Sequence, residues 1–347
     1  MNHVPSRTGL PEEILPSSSW SKVRRIIGWT VLLLFLLGQL FWGLFEYYTS
    51  NFTYHIIKQK WRMVQMLQAP VDVLVLGDSA AGAAVIPEII EQESGLRTLN
   101  LAIAQGICAI SDNWLLDAYL AKFGPPKWVV LCREDLAWQN PIDGNKGLMQ
   151  FPFGPLRWLT IQPRPPFSRP EWVHLIMMLV FPPLRPDVKV QHLIVLDVAP
   201  KRIAMTNSGT VVMWGVNPAF MAGLPEASPD ESKIHHFMTP PSANSLQYTL
   251  SRARQEKFHL LITNPPIWDH YVQGNRAQRI AKLRLVFSNL AKQEPLVTYN
   301  DTLYRYPLWQ MRDPSHVPYT TAIDYSRRLG RYLKEKEKER ILKNSGE

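Results

Sequence analysis

Two short stretches far apart in the chain carry side chains able to act on an acyl carbonyl. The first is Gly77-Asp78-Ser79, directly after the apolar run 71–76, and the second is Asp313-Pro314-Ser315-His316 near the carboxyl end. A serine hydroxyl is a weak nucleophile until a base takes its proton, and an imidazole base needs a carboxylate to fix its tautomer and orientation. Asp and His three residues apart can share one face of a turn, which leaves the second ring nitrogen open to a serine. Asp-x-x-His occurs once in the chain. Gly106, which ends NLAIAQG, and Asn264, which ends FHLLITN, are candidate oxyanion donors together with the N–H of Ser79. Each residue also has a bland reading: Ser79 as the cap of the following helix, Asp313 as a loop cap with His316 at the surface, and Gly106 and Asn264 as turn residues.

Chemistry at these residues requires strand ends that gather them. VDVLVLG (71–77) reads as a buried strand closed by glycine, RTLNLAIA (97–104) as a second, and KWVVLCRED (127–135) as a third. SDNWLLDAYLAK (111–122) reads as an amphipathic helix capped by Ser111 or Asp112 and stopped by Pro125 and Pro126. Further on come a helix over 245–257, the strand FHLLITN (258–264), a helix over about 275–292, a final strand PLVTYND (295–301) and a last helix that runs from about 320 into the charged stretch 328–343. Strands alternating with helices predict a three-layer α/β/α domain around a mostly parallel sheet, whose sites lie at the carboxyl ends of the strands. The pattern breaks over about 139–240, a proline-rich and aromatic insertion. It holds the apolar run 172–181, too short to cross a bilayer and read as a buried helix, and the segments HLIVLDV and TVVMWGV, read as short strands.

Residues 26–45 are uncharged and about 20 in number, enough for a transmembrane helix. Lys22, Arg24 and Arg25 precede the run, and 47–57 contains no Lys or Arg, so the positive-inside rule keeps the N-terminus cytoplasmic and exports the remainder. The run is long and ends in bulky aromatics, which favours an uncleaved anchor over a signal peptide. The expected organisation is a cytoplasmic tail (1–25), a transmembrane helix (26–46), a connecting helix (47–70), the α/β domain (71–330) and a charged tail (331–347). The net charge of +9 is spread along the chain, and no zinc finger or basic nucleic-acid motif occurs, so nucleic acid is not an expected partner. Two cysteines, Cys108 and Cys132, exclude a disulfide scaffold; free thiols and a bridge both remain open. Adjacent His235 and His236 diverge in direction, no His-Glu-x-x-His or Cys/His cluster occurs, and neither a Walker loop nor a dinucleotide fingerprint is present. No metal and no cofactor are therefore expected.

The order of these residues resembles the SGNH (GDSL-type) hydrolase superfamily, whose four blocks are named for Ser, Gly, Asn and His. The matches are Ser79, Gly106, Asn264 and the pair Asp313/His316, over about 71–330. Ala80 stands where that family has leucine, and the third block reads TNPP (263–266) in place of Gly-x-Asn-Asp. The resemblance implies a flavodoxin-like sheet, Ser79 as nucleophile, His316 as base and Asp313 as its orienter, with Ser79, Gly106 and Asn264 as the oxyanion hole. The preceding membrane segment narrows it to the DltD-like proteins and the anchored SGNH proteins of alginate and peptidoglycan O-acetylation. That likeness implies an extracytoplasmic O-acyltransferase, a glycan acceptor and a multi-span membrane-bound O-acyltransferase as partner. An esterase of the same fold and a non-catalytic docking partner are the alternatives.

Overall fold

The computed structural model describes residues 17–48, 52–103, 108–139, 205–212 and 238–345. It opens with α1 (Ser17–Tyr48), of which Trp20–Leu40 is apolar and long enough to cross a membrane. Only 6% of that stretch is buried against the rest of the chain. Helix α2 (Phe52–Met66) follows. It packs on the α/β domain, burying Ile56, Ile57 and Val64 and stacking Trp61 on Trp114 at 4.4 Å.

Strands β1 (Val73–Gly77), β2 (Thr98–Asn100), β3 (Trp128–Cys132), β4 (His259–Thr263) and β6 (Val297–Tyr299) form one sheet in the order β2-β1-β3-β4-β6, with every pair parallel. The strands are near-continuous apolar runs because both faces are covered, and alternate residues divide between two cores. Leu74, Leu76, Val129, Leu131, Leu260 and Ile262 face one core, with side chains from α2, α5 (Cys108–Phe123), α6 (Pro240–Glu256) and α7 (Gly274–Gln293). Val73, Val75, Val130, Cys132 and Leu261 face the other, with α3 (Ser79–Ala84), α4 (Pro87–Ser94) and α8 (Tyr319–Ser345). A short parallel pair, β5 (Ile267–Trp268) and β7 (Arg305–Tyr306), lies outside the main sheet.

The strands are shorter than the apolar runs that announce them, because pairing ends before the runs do. The helices are longer. Helix α5 begins at Cys108, ahead of the expected Ser111 or Asp112 cap, since both of those residues are buried and Asp112 is taken by an ion pair instead. Helix α6 begins at Pro240, where prolines suit a first turn whose N–H groups would have no intrahelical acceptor. The expected boundary at 331 falls inside α8, which continues because Leu333 is buried and Trp128 Nε1 donates to Glu337 at 2.8 Å. Of the insertion over 139–240 only 205–212 is described apart from its two ends. The apolar run 172–181 and HLIVLDV lie outside the described residues, while TVVMWGV contributes Val211 to an antiparallel bridge with Met205. This segment is sewn to the domain by Asn100 N–H to the Ser208 carbonyl and Val211 N–H to the Gly82 carbonyl, both 2.9 Å. Below it lies fully buried Lys60, whose ammonium donates to the carbonyls of Asn100 and Gly209 and is drawn down by burial to about 7. Cys132 is a free, buried thiol, 3.3 Å from the Tyr325 hydroxyl, so it does not pair with Cys108.

Gly77 ends β1 at φ 146°, and a Cβ placed there would lie 1.8 Å from the Cys132 carbonyl oxygen. Both the backbone angle and the closeness of β3 demand glycine. Gly77→Ala is expected to cost about 3 kcal/mol or more in strain and displaced backbone, read as a drop in melting temperature of roughly 5 °C or more. An unchanged melting temperature would refute this account of the strand end.

Candidate functional site

The turn after β1 is shaped by Asp78. It is the N-cap of α3, with Oδ1 accepting the N–H groups of Ala80 at 3.1 Å and Ala81 at 3.2 Å. Ser79 is therefore the first helical residue and not the cap, and its hydroxyl is free to point out of the turn. The other Asp78 oxygen accepts the N–H of Glu134 at 2.7 Å, joining the end of β1 to the end of β3. Asp78 is buried, which together with the nearby Glu134 charge raises its carboxyl to about 7 against the pull of those N–H groups. The N–H of Gly77 donates to Asp112 Oδ1 at 3.2 Å, while Asp112 Oδ2 receives Arg133 Nη2 at 2.7 Å and Nε at 3.2 Å. Neither side chain of that ion pair touches solvent.

The second half of the site lies between β7 and α8, in a loop closed by the N–H of Arg312 donating to the His316 carbonyl at 2.9 Å. Asp313 Oδ1 accepts the N–H groups of Ser315 at 3.1 Å and His316 at 2.9 Å. The same oxygen lies 2.8 Å from His316 Nδ1, and His316 Nε2 lies 2.9 Å from Ser79 Oγ. The consistent assignment has Nδ1–H donating to Asp313 and the Ser79 hydroxyl donating to Nε2. Serine and histidine are 237 positions apart in the chain. Burial pushes the His316 imidazole down, but the hydrogen bond and charge of Asp313, then Glu134 and Asp78, outweigh it and leave it above the ordinary histidine value. Asp313 is lowered: burial raises it, and the bond and charge of His316 with the two backbone N–H groups reverse that. The arrangement can take a proton from Ser79 and stabilise the imidazolium that forms.

Of the remaining expected donors, Asn264 alone is among the described residues. Gly106 lies outside the described residues. Asn264 follows β4, and β3 stands between β4 and β1. Neighbouring strands are about 4.8 Å apart, so its backbone starts about 10 Å from the end of β1. Its amide donates to the Thr302 carbonyl at 3.4 Å, and its carbonyl accepts the Tyr325 hydroxyl at 3.0 Å. The structure thus does not bring the Asn264 side chain to Ser79. The Ser79 N–H has no acceptor among the described residues and remains available to an oxyanion.

Sequence reasoning missed Glu134 and its partners. Glu134 leaves β3 beside β1, accepts the Ser315 hydroxyl at 2.8 Å and is ion-paired with Arg276 of α7. Arg276 also meets Asp135 at 2.6 Å, and Arg279 meets Asp135 at 2.9 Å. The signal was present: three consecutive charged residues, Arg133 to Asp135, directly follow an apolar strand, where charge is costly unless paired. Among the described residues no group of three or more His, Cys, Asp or Glu is placed to hold a metal ion. No protein-family model matches the chain, and no curated protein matches it.

Removing one partner of a buried ion pair strands the other charge. Arg133→Leu is expected to destabilise the domain by about 3–5 kcal/mol in denaturant unfolding. A loss below about 1 kcal/mol would refute the view that Arg133 offsets the burial that raises the Asp112 carboxyl to about 6.

Proposed function

We propose that the chain is an extracytoplasmic serine-dependent O-acyltransferase that modifies a cell-surface or wall glycan through an acyl-serine intermediate. The observation that carries this reading is the His316 imidazole held between Asp313 at 2.8 Å and Ser79 at 2.9 Å. The apolar Trp20–Leu40 stretch supports membrane attachment, and Lys22, Arg24 and Arg25 ahead of it support a cytoplasmic N-terminus. The likeness in motif order to anchored SGNH proteins supports a glycan acceptor and a multi-span membrane-bound O-acyltransferase as partner.

In this reaction Ser79 Oγ attacks the acyl carbonyl of the donor as Nε2 of His316 takes the hydroxyl proton. The oxyanion of the tetrahedral intermediate is stabilised by the Ser79 N–H, with Gly106 proposed as a second donor. Collapse expels the donor's leaving oxygen, which receives the proton from His316, and leaves an acyl-serine. An acceptor hydroxyl, deprotonated by the same imidazole, then attacks the acyl-serine and restores Ser79. Water as acceptor would give plain hydrolysis with the same residues. Asn264 is left out of this proposal, since it follows β4, with β3 between it and β1, and its amide donates to the Thr302 carbonyl.

Ser79→Ala in the detergent-solubilised full chain is expected to fold normally and to lower turnover of an acetyl ester by about 10⁴-fold or more. Unchanged turnover would exclude Ser79 as nucleophile and leave a docking role. Incubating donor and oligosaccharide together, and comparing acylated sugar with free acid, separates transferase from esterase. His316 must be neutral to act as base, and its pKa is raised, so kcat/KM should fall with acidification through a midpoint above the ordinary histidine value of 6.5. Asp313→Asn removes the main raising influence, so that limb should move to lower pH while the rate drops about 10³–10⁴-fold. A limb that stays in place would show that His316 is not the titrating base.

A further inference from the structure

We infer that Glu134 is a positioning residue for the triad, a clasp at the end of β3 that holds the serine turn and the histidine loop in register. The inference rests on the reading of Ser79, His316 and Asp313 as the reactive set. Through its backbone, Glu134 grips the first loop: its N–H donates to Asp78 Oδ2 at 2.7 Å, and Asp78 caps the helix that begins at Ser79. Through its side chain it grips the second: Oε1 accepts the hydroxyl of Ser315, the residue before His316, at 2.8 Å. One residue therefore touches both loops, in addition to the packing of α8 on α3.

Glu134 is itself fixed. It is buried, and the same Oε1 receives Arg276 Nη2. Arg276 is held in turn by Asp135, at 3.0 Å from Nε and 2.6 Å from Nη2, and by the ring of Tyr271, 4.2 Å from the guanidinium carbon to the ring centroid. Arg279 completes the set at Asp135. Two carboxylates and two guanidinium groups balance in charge, so the cluster adds no net charge, and Glu134 is the member that bonds the histidine loop. The groups facing His316 are Asp313 on its own loop, Asp78 at the end of β1 and Glu134 past β3, with Arg276 of α7 behind Glu134. Each of the three carboxylates favours the imidazolium, the state that forms when Ser79 gives up its proton.

Two variants of the full chain test the clasp. Glu134→Gln keeps an oxygen for Ser315 but removes the charge and leaves Arg276 in excess. The His316 imidazole, followed by nuclear magnetic resonance in histidine-labelled protein in micelles, should then titrate at lower pH than in the parent. Ser315→Ala keeps the charge and cuts the link. It should lower kcat on an acetyl ester by at least about tenfold at unchanged KM, the signature of a misplaced reacting group. Parental turnover by Ser315→Ala would overturn the positioning role, whether or not Glu134→Gln folds. A folded Glu134→Gln protein with the parental His316 midpoint would overturn the electrostatic role. The titration needs no turnover: a parent that cleaves no ester refutes the proposed function, while the midpoint still tests how Glu134 acts on His316.

Discussion

The carboxylate of Asp78 accepts backbone N–H groups from two directions, Ala80 and Ala81 on one side and Glu134 on the other. Parallel strands stop at their carboxyl ends with backbone groups that have no ladder partner, and at the end of β1 those groups are buried. A side chain with two acceptor oxygens resolves this by serving the first turn of α3 and the departing end of β3 at once. Gly77 makes the contact reachable, because its missing Cβ lets β1 lie against the Cys132 carbonyl. With the strand ends fixed, the direction in which Ser79 leaves the sheet follows.

Charge beneath the site is arranged in closed sets. Asp112 and Arg133 pair on the side of α5, where the Ser245 hydroxyl also meets Arg133 at 3.2 Å and the Trp138 ring lies 4.7 Å from its guanidinium carbon. Glu134, Asp135, Arg276 and Arg279 pair on the side of α7. Buried pairs return little net stability, since desolvation consumes most of their attraction. Their effect is on geometry: an ionised group in a low-dielectric interior tolerates few alternative placements, so these sets define where the loops above them run. Stability comes instead from the two apolar cores, in which every residue of β1 and β3 is buried.

The same reasoning explains the long reach of the last helix. Helix α8 packs closely on α4, where a Cβ on Gly330 would meet Glu93 Cβ at 2.9 Å, and Ser326 Oγ bridges the Ala84 carbonyl at 2.9 Å and the Ile86 N–H at 2.8 Å. Helix α8 follows the histidine loop directly, and α3 begins at Ser79, so the packing of α8 on α3 and α4 brings the two halves of the site together. Helix α2 performs the corresponding task at the start of the domain, seating its apolar face on α5 and burying Lys60 over the end of β2.

The apolar runs 73–77, 128–132 and 260–262 were legible as buried strands because burial on both faces leaves no polar alternation, and the uncharged run 26–45 was legible as a helix able to span a bilayer. Gly77-Asp78-Ser79 and Asp313-x-x-His316 were legible as well, since their spacing is local and a turn can be read from a few neighbouring residues. The order of strands was not legible. Nothing local indicates that β3 inserts between β1 and β4, so Asn264, which ends a suitable strand, stands one strand too far from Ser79, and Glu134 occupies the nearer place. Nor do isolated residues reveal that Ser111 and Asp112 lie inside a helix rather than at its start. Those outcomes depend on which surfaces meet after the chain has folded. Local sequence sets the period and the turns, while the pairing of buried charges and strand ends is decided by contacts between segments hundreds of residues apart.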